Sequence, residues 1–451
     1  MAAVPSEANQ HGLGINRISV TGFKSLAMKT DLEIRPLTVL AGANSSGKSS
    51  FMQPLLLMKQ TLESDVNPAG PFLLSGSYTR YTEARQFLSR AVKPNASVQP
   101  LALEFGFNGG LTAGMAYSAN PETGLIVEET WGSNGVKKSK WRIAKTSTPE
   151  ELKAKLLELS NVPLAMERDG LTAQSVQSYQ FYQSVLYSVP EGSEWMRREL
   201  YFLAENLELN SQIRRLICVP GLRGDQLRKW LFAEITEHGF FEGPFESYVP
   251  SLIFSWQLSG YRSKIRELVK ALSALDLASG ISSERLSESE LEICVPRTRD
   301  STPDDFVNVA DVGLAVSTIL SVLVALIQAD AGQLVYIEQP ELHLHPRAQL
   351  RLAQLLAQAA NRGVKLVIET HSSLLLRGIL TEIAENRIAN DKVILHWFER
   401  DKETGLSTVQ SKEPDSAGRV GDWPEDFGDV ELASNNEYLD AVESKLFAGK
   451  K

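Results

Sequence analysis

The chain has 451 residues, of which 43% are apolar and 22% are charged; this balance is typical of a globular protein and excludes a disordered or fibrous one. Its net charge of −9 argues against broad binding of polyanions, so a nucleic acid would need a local basic patch or one assembled by several copies. No apolar stretch approaches the roughly 20 residues that cross a bilayer, and the N-terminus lacks the basic and apolar segments of an export signal.

Cys218 and Cys294 are the only cysteines. Two thiols are too few for a disulfide framework or a zinc site of four thiolates, and they are typical of a reducing compartment. We therefore predict a cytoplasmic protein without membrane contact. The length, about three times the roughly 150 residues of one domain, leaves room for a full core plus a large insertion.

The N-terminal part is predicted to hold a flexible tail over residues 1–13 and a first lobe over 14–145. Residues 15–20 and 32–34 alternate like strands, and residues 37–40 form a short apolar run rich in β-formers. This run leads into a loop rich in glycine and serine, and an amphipathic helix is expected to follow it.

Residues 146–290 are predicted to form a mainly helical insertion. Basic residues cluster there in two groups, over 214–229 and over 262–270. Solvated helix faces, DNA contact and docking of a partner protein are three interpretations that the sequence leaves open. The aromatic residues between 240 and 256 are interpreted as core.

The second lobe is placed at residues 291–451. Residues 334–337 and 364–368 are unbroken apolar strands, and a helix over 346–360 lies between them. Continuous apolar strands alternating with helices predict a mostly parallel sheet that is covered on both faces, an α/β fold. Residues 393–398 and 406–410 predict a hairpin near the end of the chain.

The loop after the third apolar run fits the pattern G-x-x-x-x-G-K-[ST] at Gly42, Gly47, Lys48 and Ser49. Glycines let successive N–H groups turn inward, and these donors cradle an anion together with the N-terminus of the next helix. Lys48 would add charge for the β- and γ-phosphates, and Ser49 would offer its hydroxyl to Mg²⁺. The alternative is a plain Gly/Ser linker.

Charged residues end two of the apolar strands. Glu338 follows residues 334–337, where its charge needs a cation or hydrogen-bond donors, and His371 follows residues 364–368 at the same expected edge. His371 would contact a γ-phosphate or the attacking water; the alternative is a histidine packed at a strand end. A zinc site of His343, His345 and Glu341 is disfavoured because no cysteine supports it.

Residues 308–317 hold either an anion site at a helix start marked by Gly313 or an ordinary core helix.

Taken together, these motifs resemble the ABC-type ATPase heads of the RecF, SMC and OLD (overcoming lysogenization defect) kind, and most of all the OLD-like ATPases of bacterial anti-phage systems such as Septu and PARIS. The stretches that carry the resemblance are residues 22–25, 42–50, 311–317, 337–346, 369–372 and 421–427.

The resemblance implies a role for each matching position. The Walker A residues would be Gly42, Ala43, Asn44, Ser45, Ser46, Gly47, Lys48, Ser49 and Ser50. Glu338 would take the Walker B position at the metal with Ser49, and His371 would be the switch histidine. Asp311, Gly313 and Ser317 would form a degenerate signature segment that touches the γ-phosphate in a second copy.

The sequence also departs from these families. Gln339 stands where a catalytic glutamate is usual; glutamine can orient water but cannot take its proton. Glu341 is the candidate replacement base, so the predicted catalytic residues are Lys48, Gln339, Glu341 and His371. The short segment after Ser372 contains no Asp-x-Asp, so a Toprim nuclease domain is not expected.

Two function hypotheses follow from the resemblance. The first is an ATPase that uses ATP and Mg²⁺, forms a head-to-tail homo-oligomer and gates a separate effector or nuclease in anti-phage defence, with DNA as a further partner. The second is an ATP-stabilised scaffold that holds a partner protein without turnover. A DNA-repair ATPase of the RecF type remains a third alternative.

Overall fold

The structure is a computed structural model. It describes residues 14–66, 68, 70–90, 99–120, 124–134, 139–152, 172–179, 182–191, 194–201, 203–221, 223, 227–235, 240–258, 261–298, 305–421, 436–442 and 445. The tail predicted over residues 1–13 and most of the motif at 421–427 lie outside these ranges.

Strands and helices alternate regularly only in the C-terminal part of the chain, from residue 306 to residue 400, whereas residues 101–201 contain seven described strands. The strands are β1 Ile15–Thr21, β2 Thr30–Glu33, β3 Leu37–Gly42, β4 Leu101–Phe107, β5 Thr112–Asn120, β6 Gly124–Asn134, β7 Ser139–Ala144, β8 Thr172–Tyr179, β9 Tyr182–Glu191, β10 Glu194–Tyr201, β11 Ile217–Val219, β12 Trp230–Leu231, β13 Ser282–Arg285, β14 Glu290–Pro296, β15 Phe306–Asn308, β16 Leu334–Glu338, β17 Lys365–Glu369, β18 Val393–Arg400 and β19 Ser407–Lys412. The helices are α1 Lys48–Leu62, α2 Leu203–Arg215, α3 Val249–Leu258, α4 Arg262–Ala274, α5 Leu314–Gln328, α6 Pro346–Asn361 and α7 Ser373–Ala384.

The central sheet has the strand order β11-β16-β17-β3-β18-β19. The first five strands run parallel, and β19 joins as the antiparallel arm of a hairpin with β18. The strand before the predicted phosphate loop, β3, is thus flanked by β17 and β18. Because the strands are parallel, their carboxyl ends lie at one edge, where residues 338 and 369 pair in register.

Both faces of this sheet are buried, as its unbroken apolar strands predict. Val335 and Ile337 belong to a core that contains helices α3 to α7. Leu334 and Tyr336, which alternate with them along β16, belong to a second core that contains α1. The second core also takes in the antiparallel sheet β2-β1-β4-β5-β6-β7. Period-two alternation therefore assigns successive residues of one strand to two separate cores.

The region 146–290 differs from the predicted helical insertion. Its described part contains helices α2, α3 and α4, but also the antiparallel sheet β10-β9-β8 and the short strand β11, which belongs to the central sheet. Phe241, Phe245 and Trp256 are buried, which confirms their interpretation as core. Strand β11 was missed because its three residues are too few to leave a periodic signal.

These elements confirm the predicted fold class, an α/β head with a mostly parallel sheet flanked by helices. Within the described ranges, no helix is long and apolar enough to span a bilayer.

Candidate phosphate-binding site

The loop between β3 and α1 has the backbone conformation that its glycines allow. Gly42 and Gly47 have φ angles of 140° and 107°. A Cβ on Gly42 would overlap the carbonyl oxygen of Phe398 on the neighbouring strand. A Cβ on Gly47 would lie 2.5 Å from Ser407 Oγ, well inside van der Waals contact. Gly42 therefore requires glycine for space as well as for φ, whereas at Gly47 the positive φ is the main requirement because the close atoms belong to serine side chains.

Lys48 lies at the start of α1 and is 3% exposed. Its ammonium donates to Gly42 O at 3.0 Å, to Ala43 O at 2.7 Å and to Ser46 Oγ at 3.4 Å. Burial lowers the pKa of Lys48, and the charge of Glu369 opposes this shift. An ammonium has three donors, so an incoming phosphate would replace one of these loop acceptors with a stronger, charged one.

A cavity of about 540 Å³ opens over this loop. Its lining includes loop residues 44–50 together with Gln339, Glu369 and His371. Lys24 and Arg400 also line it and, with Lys48, bring three cations to one space. A polar, cationic cavity of this size fits a phosphate chain with its metal.

Lys24 and Arg400 were not predicted as site residues. Lys24 follows β1 and Arg400 ends β18, so the fold brings them to the loop from far apart in sequence. Arg400 Nη1 donates to Ser45 O at 3.4 Å, and Ser407 Oγ lies 2.5 Å from Ser46 O. The terminal hairpin therefore supports the outer side of the phosphate loop. Only the motif at residues 22–25 could have pointed to Lys24.

The nearest carboxylate to Ser49 is Glu369, not the predicted Glu338. Ser49 Oγ donates to Glu369 Oε1 at 2.8 Å, and Tyr336 Oη lies 2.8 Å from Glu369 Oε2. The same Tyr336 Oη lies 3.0 Å from Glu338 Oε1, while Glu338 Oε2 accepts from Gly221 N at 2.9 Å. Burial raises the pKa of Glu369, although the hydrogen bonds from Tyr336 and Ser49 oppose the shift.

Gln339 lines the cavity from the end of β16 and has a φ of 45°. Its N–H donates to Glu369 O at 2.7 Å, and its carbonyl accepts from Arg223 Nη2 at 2.8 Å. Arg223 is 9% exposed and also donates to the carbonyls of Thr318, Pro220 and Glu338. Although it belongs to the basic group at 214–229, Arg223 holds backbone carbonyls, and its burial removes it from that group's candidate DNA surface.

Glu341 and His371 lie beside each other. Glu341 Oε1 accepts from Thr370 Oγ1 at 2.7 Å and from the His371 N–H at 3.1 Å, and Glu341 Oε2 is a buried atom without a hydrogen-bond partner. His371 lines the cavity, and Glu341 is not among its lining residues. Burial, and then the charge of Lys48, lowers the pKa of His371, while a hydrogen bond to the Gly42 carbonyl opposes this. The imidazole is therefore held neutral beside the phosphate loop.

None of residues 311–317, the predicted signature segment, lines the cavity of its own chain. Asp311 and Gly313 are exposed, and Ser317 bonds to Leu314 O at the start of α5. Arg228 holds both carboxylate oxygens of Asp311. Within one copy, these residues and the phosphate loop are not brought together.

Ser49 and Glu369, beside the phosphate loop, suit a divalent cation better than His343 and His345 do. Mg²⁺ prefers hard oxygen ligands, and Ser49 Oγ and the Glu369 carboxylate are such oxygens beside the loop. His343 and His345 are exposed, and the described residues contain no cluster of three or more histidine, cysteine, aspartate or glutamate side chains arranged to hold a metal.

Comparisons with known proteins agree with this picture only in outline. A family model described as "AAA domain, putative AbiEii toxin, Type IV TA system" matches residues 257–377. This stretch is shorter than half of the chain; it contains the signature segment and both acidic strand ends but not the phosphate loop. No curated protein matches the chain.

Among solved structures, the chain is similar to three SMC heads. The first is an SMC head bound to the C-winged helix domain of ScpA, at 12% identity, 90% coverage of this chain, 99% of that chain and a TM-score of 0.46. The second is from Thermotoga maritima, at 10% identity, 89% and 99% coverage and a TM-score of 0.36. The third is an SMC head domain with an extended coiled coil, bound to the C-terminal domain of ScpA derived from Pyrococcus furiosus. It matches at 11% identity, covers 96% of this chain and 100% of that chain, and has a TM-score of 0.42.

The fold assignment therefore rests on the chain itself. A glycine-rich phosphate loop follows β3, two parallel strands with acidic ends lie to one side of it, and a separate antiparallel sheet covers α1. This is an α/β fold with a mostly parallel sheet flanked by helices, as the sequence predicts.

Proposed function

We propose that the protein binds ATP with Mg²⁺ in the cavity over residues 42–49 and hydrolyses it. The observation that carries the proposal is the convergence of three cations, the glycine loop and the acidic strand edge on one cavity of about 540 Å³. Residues 42–50 would hold the phosphates, with Lys48 at the β- and γ-phosphates and Ser49 at the metal together with an acidic strand end. When bound, Mg²⁺ would neutralise charge that develops on the phosphates.

The residues that would act on water stand at the cavity wall. Gln339 can orient a water molecule through its side-chain amide, and the neutral His371 can donate or accept a hydrogen bond at the γ-phosphate. Glu341, proposed as a base, is already bonded to Thr370 and His371. Its orphaned Oε2 would have to turn toward the cavity for proton transfer, which predicts slow hydrolysis.

The exposed signature segment supports assembly of two or more copies. Because Asp311, Gly313 and Ser317 do not reach the phosphate loop of their own chain, we propose that they complete the site of a second copy in a head-to-tail oligomer. Such an assembly would change with nucleotide state and would gate an effector or nuclease, in anti-phage defence or, alternatively, in DNA repair of the RecF kind.

One observation favours a second candidate function. Gln339 places an amide, which cannot accept a proton from water, where the resemblance places a carboxylate. An ATP-stabilised scaffold that holds a partner protein would need binding but no turnover.

Titration of the purified protein with an ATP analogue tests the proposed binding. Lys48→Ala should weaken binding by at least about 100-fold, because charge-assisted hydrogen bonds to phosphate are lost. Lys29→Ala is the matched control, since Lys29 is about half exposed (52%) and lies against Glu104. Equal affinity of both variants would reject the assignment. Phosphate release by the wild-type protein then separates the ATPase from the scaffold.

A further inference from the structure

The terminal hairpin, formed by β18 and β19, brings an arginine to the phosphate loop. In β18, Phe398 pairs with Gly42, the first glycine of the loop, and its ring centre lies 6.1 Å from that of Phe51 in α1. Side chains alternate between the two faces of a sheet with a period of two. Arg400 follows Phe398 by two residues, so it leaves the strand on the face that carries α1 and lines the cavity over the loop.

The turn of the hairpin holds the guanidinium of Arg400 in one orientation. Asp401 Oδ1 accepts hydrogen bonds from Thr404 N and Thr404 Oγ1, both at 2.6 Å, and Gly405 N donates to Asp401 O at 2.8 Å. On this turn, Arg400 Nε donates to Gly405 O at 2.9 Å, and Nη1 donates to Ser45 O at 3.4 Å. A side chain held in this way loses less conformational entropy when a ligand binds to it.

Most of the donors of Arg400 remain available to a ligand. A guanidinium has five N–H groups in a planar fork, and Gly405 O and Ser45 O accept from two of them. The other three, which include both N–H groups on Nη2, have no acceptor among the residues that the structure describes. Because Nη1 bonds to Ser45, this fork lies beside the loop that would hold the phosphates.

The two lysines of the cavity are engaged differently. Lys48 is buried and donates to three oxygens of its own loop. Lys24 Nζ donates to Gln53 Oε1 at 2.6 Å and lies 5.1 Å from the centre of the Tyr81 ring, and burial lowers the pKa of Lys24. Arg400 is the exposed cation of the three, and a guanidinium is not deprotonated in proteins.

We propose that Arg400 binds the phosphate chain of the nucleotide through the two N–H groups of Nη2. Two parallel N–H groups match two oxygens of a phosphate, a geometry that the single ammonium of a lysine does not offer. The terminal hairpin would then supply a phosphate ligand that is separate from the loop of residues 42–50. This assignment rests on the proposed ATP binding and adds a residue to it.

Titration of the full-length protein with a non-hydrolysable ATP analogue and Mg²⁺ tests the assignment. Arg400→Gln should weaken binding by at least about tenfold, because charge-assisted hydrogen bonds to phosphate are lost. Arg400→Lys should weaken it by about three- to fivefold, since the charge remains and the fork does not. Lys402→Gln is the matched control: it removes one positive charge from the same hairpin, where Lys402 is exposed and does not line the cavity. This variant should change the affinity by less than about twofold. The melting temperature shows that each variant is folded.

Salt separates a contact with phosphate from support of the loop or from stacking on the base. Raising the ionic strength from about 0.1 M to about 1 M should narrow the gap in affinity between the wild type and Arg400→Gln by about two- to threefold, because salt screens the exposed charge. Loss of loop support or of a stacking contact would leave that gap unchanged, and an unchanged gap overturns the assignment.

The remaining outcomes distinguish the assignment from the proposed function. If the wild-type protein does not bind the analogue, the proposed function fails and the assignment fails with it. If the wild type binds, and Arg400→Gln binds equally well or Lys402→Gln is weakened as much, the assignment is overturned and ATP binding stands. If Arg400→Lys binds like the wild type, the paired contact through Nη2 is overturned.

Discussion

The phosphate loop and the signature segment, both marked by glycines, are built in opposite ways. Gly42 is enclosed, since a Cβ there would overlap the Phe398 carbonyl, and Lys48 donates to three oxygens of its own loop. Around Gly313 a Cβ would meet nothing within 4 Å, and Asp311 is held only at the surface by Arg228. The first region is completed by the chain itself, and the second presents an open backbone.

Substitutions in the two regions should therefore have different effects. A change in the enclosed region should cost folding stability first, because its neighbours cannot move apart without breaking the central sheet. A change in the open region should leave folding intact and show itself only when something binds there. The variants below test this distinction, from the largest effect on stability to the smallest.

Gly42→Ala should be the most destabilising change, by at least about 4 kcal/mol, because backbone strain and overlap with Phe398 act together. Gly109→Ala is the control: Gly109 also has a positive φ, 86°, but a Cβ added there would meet nothing within 4 Å. That variant should lose only about 1–2 kcal/mol. Urea unfolding of both measures the difference, and equal losses would show that Gly42 is not enclosed.

Arg223→Met should cost about 3 kcal/mol, because four backbone carbonyls lose their buried donor. Burial lowers the pKa of Arg223 to about 10, so the guanidinium stays charged at pH 7. Arg228→Met is the matched control in the open region and should cost about 0.5 kcal/mol, since its pair with Asp311 is exposed. Similar losses for the two arginines in urea unfolding would contradict the comparison.

Residues that act through near neighbours were predictable from sequence. The phosphate loop is contiguous, so its pattern predicted both its place after β3 and the glycines that it needs. Thr148 and Glu151 have the spacing of a capping box, another local pattern, and the structure forms it: Thr148 N donates to Glu151 Oε2 at 3.0 Å, and Glu151 N donates to Thr148 Oγ1 at 3.3 Å.

Residues that depend on strand order were missed. The sequence predicts an acidic end at Glu338 and a histidine, His371, after the next apolar strand. It does not reveal that β17 lies between β16 and β3, the order that brings Glu369 to Ser49. Arg223 was grouped with surface cations because nothing local marks its carbonyl partners. The β-formers between residues 172 and 189 were a usable signal for β8 and β9 that a helical interpretation of the insertion passed over.

Gly313→Gln should have the smallest effect on stability, because Gly313 is exposed, has an ordinary φ of −61° and caps α5 without a side-chain bond. If a second copy approaches this backbone, the added side chain should block that approach, and ATP with Mg²⁺ should no longer raise the mass measured by light scattering. Ser416→Gln, in an exposed turn after β19, should leave the mass change intact. A Gly313→Gln protein that still assembles like the wild type would mean that the open segment serves no contact between copies, and the site in the cavity would then be complete within one chain.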